Sequence, residues 1–157
     1  MANTPKYKRV LLKLSGEALA DGADGILNFD FIASVAQTLK KCVDAGVQIG
    51  VIVGAGNIWR GRQGGSMDRV RADSMGMLAT AINALALQDT FIQAGLDTKV
   101  MTAVEMEAFA DKYVTRDAVK ALKRERSLSS DAVSAPRIFQ PIRRRCFALL
   151  KSGQMPC

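Results

Sequence analysis

The chain has 157 residues, 48% hydrophobic and 24% charged, which suits one soluble domain with a real core and is short for two. No uninterrupted apolar run reaches the roughly 18 residues of a membrane span, so no membrane association is expected. The net charge of +7 suggests a nucleic-acid partner only until it is divided: residues 1–123 carry 15 Lys+Arg against 13 Asp+Glu, whereas residues 124–157 carry 7 against 2.

The basic excess belongs to the tail, so nucleic acid is not an expected partner of the folded part. The first residues lack the apolar run and cleavage site of a secretory signal. Cys42, Cys146 and Cys157 have no metal spacing, and their odd number argues against a disulfide framework. A reducing cytoplasm is the expected location.

In chain order, residues 8–14 read as a strand, with Val10, Leu11, Leu12 and Leu14 apolar on both faces as in a central parallel strand. Ser15 and Gly16 end it. Asp21, Gly22, Asp24, Gly25 and Asn28 mark a loop. Asn28 can cap a helix over residues 29–45, with Ile32, Val35, Ala36, Leu39, Cys42 and Val43 on one face and Gly46 at its end. Residues 47–53 read as a second apolar strand, closing a βαβ unit that ends in Gly54-Ala55-Gly56-Asn57.

An irregular stretch to Met67 precedes a long helix over residues 68–94, whose expected buried face is Met75, Leu78, Ala81, Ile82, Leu85 and Ala86. Its length and alanines suit close packing, against the sheet or against a copy of itself. Residues 98–101 read as a third strand. Thr102 and Glu105 form a capping box for a helix through about Ala110, and Thr115 opens another with Ala118, Val119 and Leu122 as its apolar positions. After Lys123 no apolar period continues. Pro136 and Pro141 interrupt the chain, and Arg143-Arg144-Arg145 is a bare charge run.

Lys13, at the end of a parallel strand, sits where open α/β sheets bind ligands, and beside Ser15 and Gly16 it could meet phosphate oxygens. A lysine snorkelling from a strand end fits the same pattern. The spacing is not that of a Walker A loop. In the second loop, small residues allow a backbone to approach an anion, and Asn57 tolerates left-handed geometry; a tight structural turn fits as well. Arg60 and Arg62 could hold phosphate or simply be solvated. Asp73 could accept from a sugar hydroxyl, or answer only to the helix dipole. The absence of histidine excludes His-based catalysis, no serine or cysteine has a visible base, and no metal-ligand cluster is apparent. Transfer chemistry that needs only positioning and positive charge, such as phosphoryl transfer, fits what remains.

Four stretches, Lys13-Leu14-Ser15-Gly16-Glu17-Ala18-Leu19, Gly54-Ala55-Gly56-Asn57-Ile58-Trp59-Arg60-Gly61, Asp73-Ser74-Met75-Gly76-Met77-Leu78-Ala79-Thr80 and Thr102-Ala103-Val104-Glu105-Met106, together resemble bacterial uridylate (UMP) kinases of the amino acid kinase family. The resemblance is collinear over about residues 6–123. It implies an α/β class fold, an α/β/α sandwich, here truncated. It also implies a cytoplasmic homohexamer that transfers the γ-phosphoryl group of ATP, with Mg2+, to UMP in pyrimidine nucleotide biosynthesis. By the same resemblance Lys13 is the catalytic cation. Lys13, Leu14, Ser15, Gly16, Gly56 and Arg60 bind ATP, and Ala55 and Asp73 bind UMP. Asp21, Gly22, Ala23, Asp24 and Gly25 lie in a region linked to activation by GTP, and UTP is the expected inhibitor. No protein-held metal ligand is implied. Ala55 departs from the family's usual glycine.

Two segments are therefore expected: residues 1–123 as the N-terminal part of the kinase domain, and residues 124–157 as a non-family tail without order. Codon degeneracy offers a cause for the tail. Read one frame over, Arg126-Ser127-Leu128-Ser129-Ser130 is compatible with Val-Val-Val-Phe, and the residues that follow with a glycine-containing loop like the family's missing one. A frame displacement near Lys123 would then account for the triple arginine, and the 157-residue chain would be impaired as an enzyme or act only as a non-catalytic fragment.

Overall fold

A computed structural model of the chain describes residues 5–21, 25–60, 64–124 and 137–139. In chain order the elements are Arg9–Leu14 (β1), a 3-10 turn at Gly16–Leu19, Phe29–Asp44 (α1), Gln48–Val53 (β2), Arg69–Gln93 (α2), Lys99–Thr102 (β3), Asp111–Lys112 (β4), Thr115–Arg124 (α3) and Arg137–Phe139 (β5). The five strands form one sheet in the order β1-β2-β5-β3-β4, and every pairing is parallel.

Local signals account for α1. Ile32, Ala36, Leu39 and Val43 recur at helical spacing and are buried. Asn28 Oδ1 accepts from the Phe31 N–H at 2.8 Å, a cap of about 1 kcal/mol. Gly46, at φ 86°, ends the helix in the left-handed conformation that suits glycine, and Gly95, at φ 81°, does the same after α2.

Strand alternation divides the side chains between two faces. On one face Val47, Ile49, Val51, Val53 and Val100 pack with Ile32, Leu39 and Val43 of α1 and with Ala84, Leu87 and Phe91 of α2. Each large side chain buried there contributes about 1.5–3 kcal/mol. On the other face Met101 packs with Ala118 of α3, beside Leu11, Ile52, Tyr113 and Ala121. Helices thus cover both faces, giving the α/β/α layering expected from the sequence.

Five local expectations need correction. First, β1 is an edge strand, paired only with β2 among the described residues, and Val10 is 38% exposed. An apolar pattern on both faces reports helices above and below, not neighbours to the side. Second, no helix forms over residues 102–110. Thr102 ends β3 and donates through its hydroxyl to the Val104 carbonyl at 2.7 Å, while Glu105 pairs with Lys112, so the capping-box side chains are engaged elsewhere. Third, the buried face of α2 is Ala72, Ala79, Thr80, Ala81, Asn83, Ala84, Leu87, Thr90 and Phe91, while Met75, Leu78 and Ile82 are exposed. Ala81 is buried as expected and Leu85 and Ala86 are half-buried, so the observed face overlaps the expected one but turns Met75, Leu78 and Ile82 outward. Fourth, the left-handed geometry that Asn57 tolerates is not used, since no described non-glycine residue has a positive φ, and the alternative of a structural turn stands.

The fifth correction concerns β5. Gly50, Val51 and Ile52 of β2 pair with residues 137–139, which pair in turn with Lys99, Val100 and Met101 of β3. A segment expected to contribute no element lies mid-sheet. The rest of residues 125–157 lies outside the described residues. Helix α2 is long and apolar enough in composition to cross a membrane, but 44% of that window is buried against the sheet and α1, as in a core helix.

Candidate functional site

In a parallel sheet all strands end at one edge, and here the loops after β1 and β2 meet there. The Gly54 N–H donates to the Leu14 carbonyl at 3.0 Å, extending the ladder past the strands. Beyond it the two loops touch backbone to backbone. A Cβ on Gly16 would lie 2.5 Å from Gly56 N, 2.6 Å from Asn57 Oδ1 and 2.7 Å from the Gly54 carbonyl oxygen. Gly16 is therefore required by close approach and not by its φ, which is not positive.

Lys13 pairs in register with Ile52 and by alternation lies on the α3 side of the sheet. It is exposed, and among the described residues its side chain has no hydrogen-bond or ion-pair partner. Leu14 and Ser15 lead from it into the Gly16–Leu19 turn. The structure therefore brings Lys13, Ser15, Gly16, Ala55 and Gly56 to one edge. Ala55 has an ordinary backbone conformation, and its carbonyl accepts from the Ile58 and Trp59 N–H groups at 3.0 and 2.9 Å. Alanine in place of the family's usual glycine is thus accommodated without a positive φ.

Arg60 is held at the same place. Its Nη2 donates to Glu17 Oε1, and its Nε to the Gly56 carbonyl at 3.3 Å. Glu17 also covers Gly56, whose Cβ would lie 3.1 Å from Glu17 Oε1. The Arg60 guanidinium offsets the charge of the Glu17 carboxylate beside this loop. Asp73 is exposed on α2, immediately after Ala72, whose carbonyl accepts from the Trp59 indole N–H at 3.0 Å. Trp59 thereby fastens the second loop beside the turn of helix that carries Asp73. Asp21 and Gly25 exchange backbone hydrogen bonds at 3.0 Å, and Asn28 Nδ2 donates to Asp21 Oδ1 at 2.9 Å. Gly22, Ala23, Asp24 and Arg62 lie outside the described residues.

Sequence reasoning misses Glu17, Trp59 and Asn83 as builders of this edge. Asn83 is fully buried and donates to the Gly54 carbonyl at 2.8 Å and to Asn57 Oδ1 at 2.7 Å. The available signal was an amide inside the apolar run Ile82-Asn83-Ala84-Leu85, where nothing local demands a polar group.

The model of the amino acid kinase family matches residues 8–156, a span that includes the strand-end cation and both small-residue loops. This chain belongs to the amino acid kinase family. The match continues beyond Lys123, where the resemblance was expected to stop. Among solved amino acid kinase relatives, the chain is similar to UMP kinase from Bacillus anthracis, at 34% identity and a TM-score of 0.74, over 85% of this chain and 52% of that one. UMP kinase from Ureaplasma parvum matches at 28% identity and a TM-score of 0.74, over 87% of this chain and 55% of that one. Isopentenyl phosphate kinase from T. acidophilum shares the fold alone, at 13% identity and a TM-score of 0.54, over 82% of this chain and 53% of that one. The chain spans about half the length of these relatives.

Proposed function

We propose that the chain carries the phosphate-handling half of a UMP kinase, an enzyme that moves the γ-phosphoryl group of ATP to UMP and yields UDP and ADP. The observation that supports this most directly is the backbone contact between the loops of Gly16 and Gly56 at the sheet edge, with Lys13 beside it. Phosphoryl transfer depends on in-line positioning and charge neutralisation, with little covalent work for the protein. In this reading the Lys13 ammonium neutralises the transferring group. Backbone N–H groups near Ser15, Gly16, Ala55 and Gly56 donate to phosphate oxygens, Arg60 adds a second cation steadied by Glu17, and Asp73 accepts from the UMP ribose. Among the described residues no three potential ligands cluster to hold a metal ion. In this reading Mg2+ would arrive on the ATP phosphate oxygens.

The same reading places the enzyme in the cytoplasm, in pyrimidine nucleotide synthesis, as a hexamer activated by GTP through the region around Asp21 and Gly25 and inhibited by UTP. As 157 residues it is expected to turn over poorly, because it spans 52% of its Bacillus anthracis relative and the remainder would supply the ATP base site. A coupled assay with ATP, Mg2+ and UMP tests this: turnover near that of a full-length UMP kinase refutes the impairment. Calorimetric UMP binding tests the nucleotide site itself, and Lys13→Ala should weaken ATP binding without altering the fold. A frame displacement near Lys123 is read directly from the nucleotide sequence; if no shifted frame encodes family-like text, that origin is wrong.

A second reading is favoured by the exposed aliphatic side chains of α2. Met75, Leu78 and Ile82 lie at helical spacing and are 37%, 53% and 50% exposed. Such a stripe suits a non-catalytic fragment that associates with intact kinase subunits. Co-purification with a full-length UMP kinase supports it, and a monomeric fragment in the presence of that kinase argues against it.

A further inference from the structure

We propose that Asn83 is a positioning residue, which holds the loop at residues 54–57 at the height from which its backbone can meet a phosphoryl oxygen. The inference rests on the nucleotide-binding reading above. Asn83 is 0% exposed, on the face of α2 that also buries Ala84, Leu87 and Phe91. Leucine would fill a similar volume with no polar group to satisfy, so packing alone does not call for an amide there. The side-chain hydrogen bonds of Asn83 all run outward to the loop. Nδ2 donates to the Gly54 carbonyl at 2.8 Å and to Asn57 Oδ1 at 2.7 Å, and Oδ1 accepts from Asn57 Nδ2 at 3.0 Å.

The Asn57 amide completes the arrangement. Its second Nδ2 proton goes to the Ile26 carbonyl at 2.7 Å. Its Oδ1 lies 2.6 Å from the place a Cβ on Gly16 would occupy, so the loop after β1 rests against the same amide. One amide pair, with Asn83 buried and Asn57 half-buried, therefore sets the relative positions of three segments, those at Gly16, Ile26 and Gly54, against α2. Fully satisfied buried networks of this kind specify one geometry, because any shift leaves a polar atom unpaired.

Trp59, the chain's single tryptophan, gives the test a local probe. It follows Asn57 by two residues, and its indole N–H donates to the Ala72 carbonyl at 3.0 Å. In the 157-residue chain, Asn83→Leu is expected to keep a cooperative thermal transition. It should shift Trp59 emission, speed amide exchange at residues 54–57, and weaken UMP or ATP binding by about tenfold or more. Asn83→Asp, which keeps an acceptor but turns a carboxylate oxygen toward the Gly54 carbonyl, should act in the same direction. Asn57→Ala breaks the same pair from its less buried side and serves if the Asn83 variants fail to fold. Folded variants that retain the parent's Trp59 spectrum, its exchange rates and an affinity within about twofold overturn the proposal. If the parent binds neither nucleotide, the nucleotide reading fails separately. Trp59 emission and exchange then decide for Asn83: loosening confined to residues 54–57 supports it, and no change overturns it.

Discussion

The two faces of the sheet are unequal. The α1/α2 face buries Phe91, Leu87, Ile32 and Val43 completely or nearly so, from two helices, against β2 and Val100 of β3. The α3 face, among the described residues, buries Met101 and Ala118 and leaves Leu11, Ile52, Tyr113 and Ala121 partly covered. The candidate site straddles this difference. Its loops are fixed from the thick side, through Asn83 on α2, whereas Lys13 lies on the thin side. The contacts that position the loop backbone thus come from the face of the sheet opposite Lys13.

The strongest way to break this comparison is in the cores. Phe91→Ala should cost about 3–5 kcal/mol and Met101→Ala about 2 kcal/mol in urea unfolding, because Phe91 is the larger side chain and belongs to the larger core cluster. Equal losses would show the faces to be equally packed. Next comes the seam. β5 joins the β1-β2 pair to the β3-β4 pair, with Ile138 set between Val51 and Val100. Ile138→Pro removes a ladder donor and should cost about 3 kcal/mol. Amide exchange should rise first in β3 while β1 and β2 stay protected; unchanged protection in β3 would remove β5 from its place in the sheet.

A smaller effect is expected at the loops. Gly16→Ala places a methyl against three polar atoms, two of them backbone, and should cost about 1–3 kcal/mol together with nucleotide affinity. Retained UMP binding, measured by calorimetry, would mean that the loops can part. The smallest effect concerns the exposed pair at β4. The Lys112 hydrogen bond and charge hold the Glu105 carboxyl below its usual 4.5. A carboxyl lowered in the folded state adds stability above its ordinary pKa and loses it as pH falls through the lowered value. Both partners are exposed, so the consequence for stability is slight. In an NMR titration, Lys112→Met should return Glu105 to the ordinary carboxylate range, and an unshifted titration would break the pair.

Several features of the fold were legible from residues close in sequence. Asn28 and Gly46 bound α1, Gly95 ends α2, and Thr115 begins α3, because caps and terminal glycines act within one helical turn. The same locality misled at Thr102 and Glu105. Their capping-box spacing is genuine, but β3 and Lys112 compete for both side chains, and a helix of that length is too weak to win. On α2 the large aliphatics suggested a buried face that matches the observed one only in part, because much of the face that packs consists of small residues.

The sequence by itself determined the βαβ start, the long helix, the two small-residue loops and the family, since these depend on periodicity, caps and motifs spanning a few residues. Tertiary structure alone decided that β1 lies at an edge and that β5 lies between β2 and β3. It also decided that Glu17 meets Arg60 across 43 positions and that Asn83 meets Gly54 across 29. The physical reason is that strand order and buried hydrogen bonds join segments distant in the chain. Whether a buried amide or a strand edge finds its partner is settled only when those segments pack.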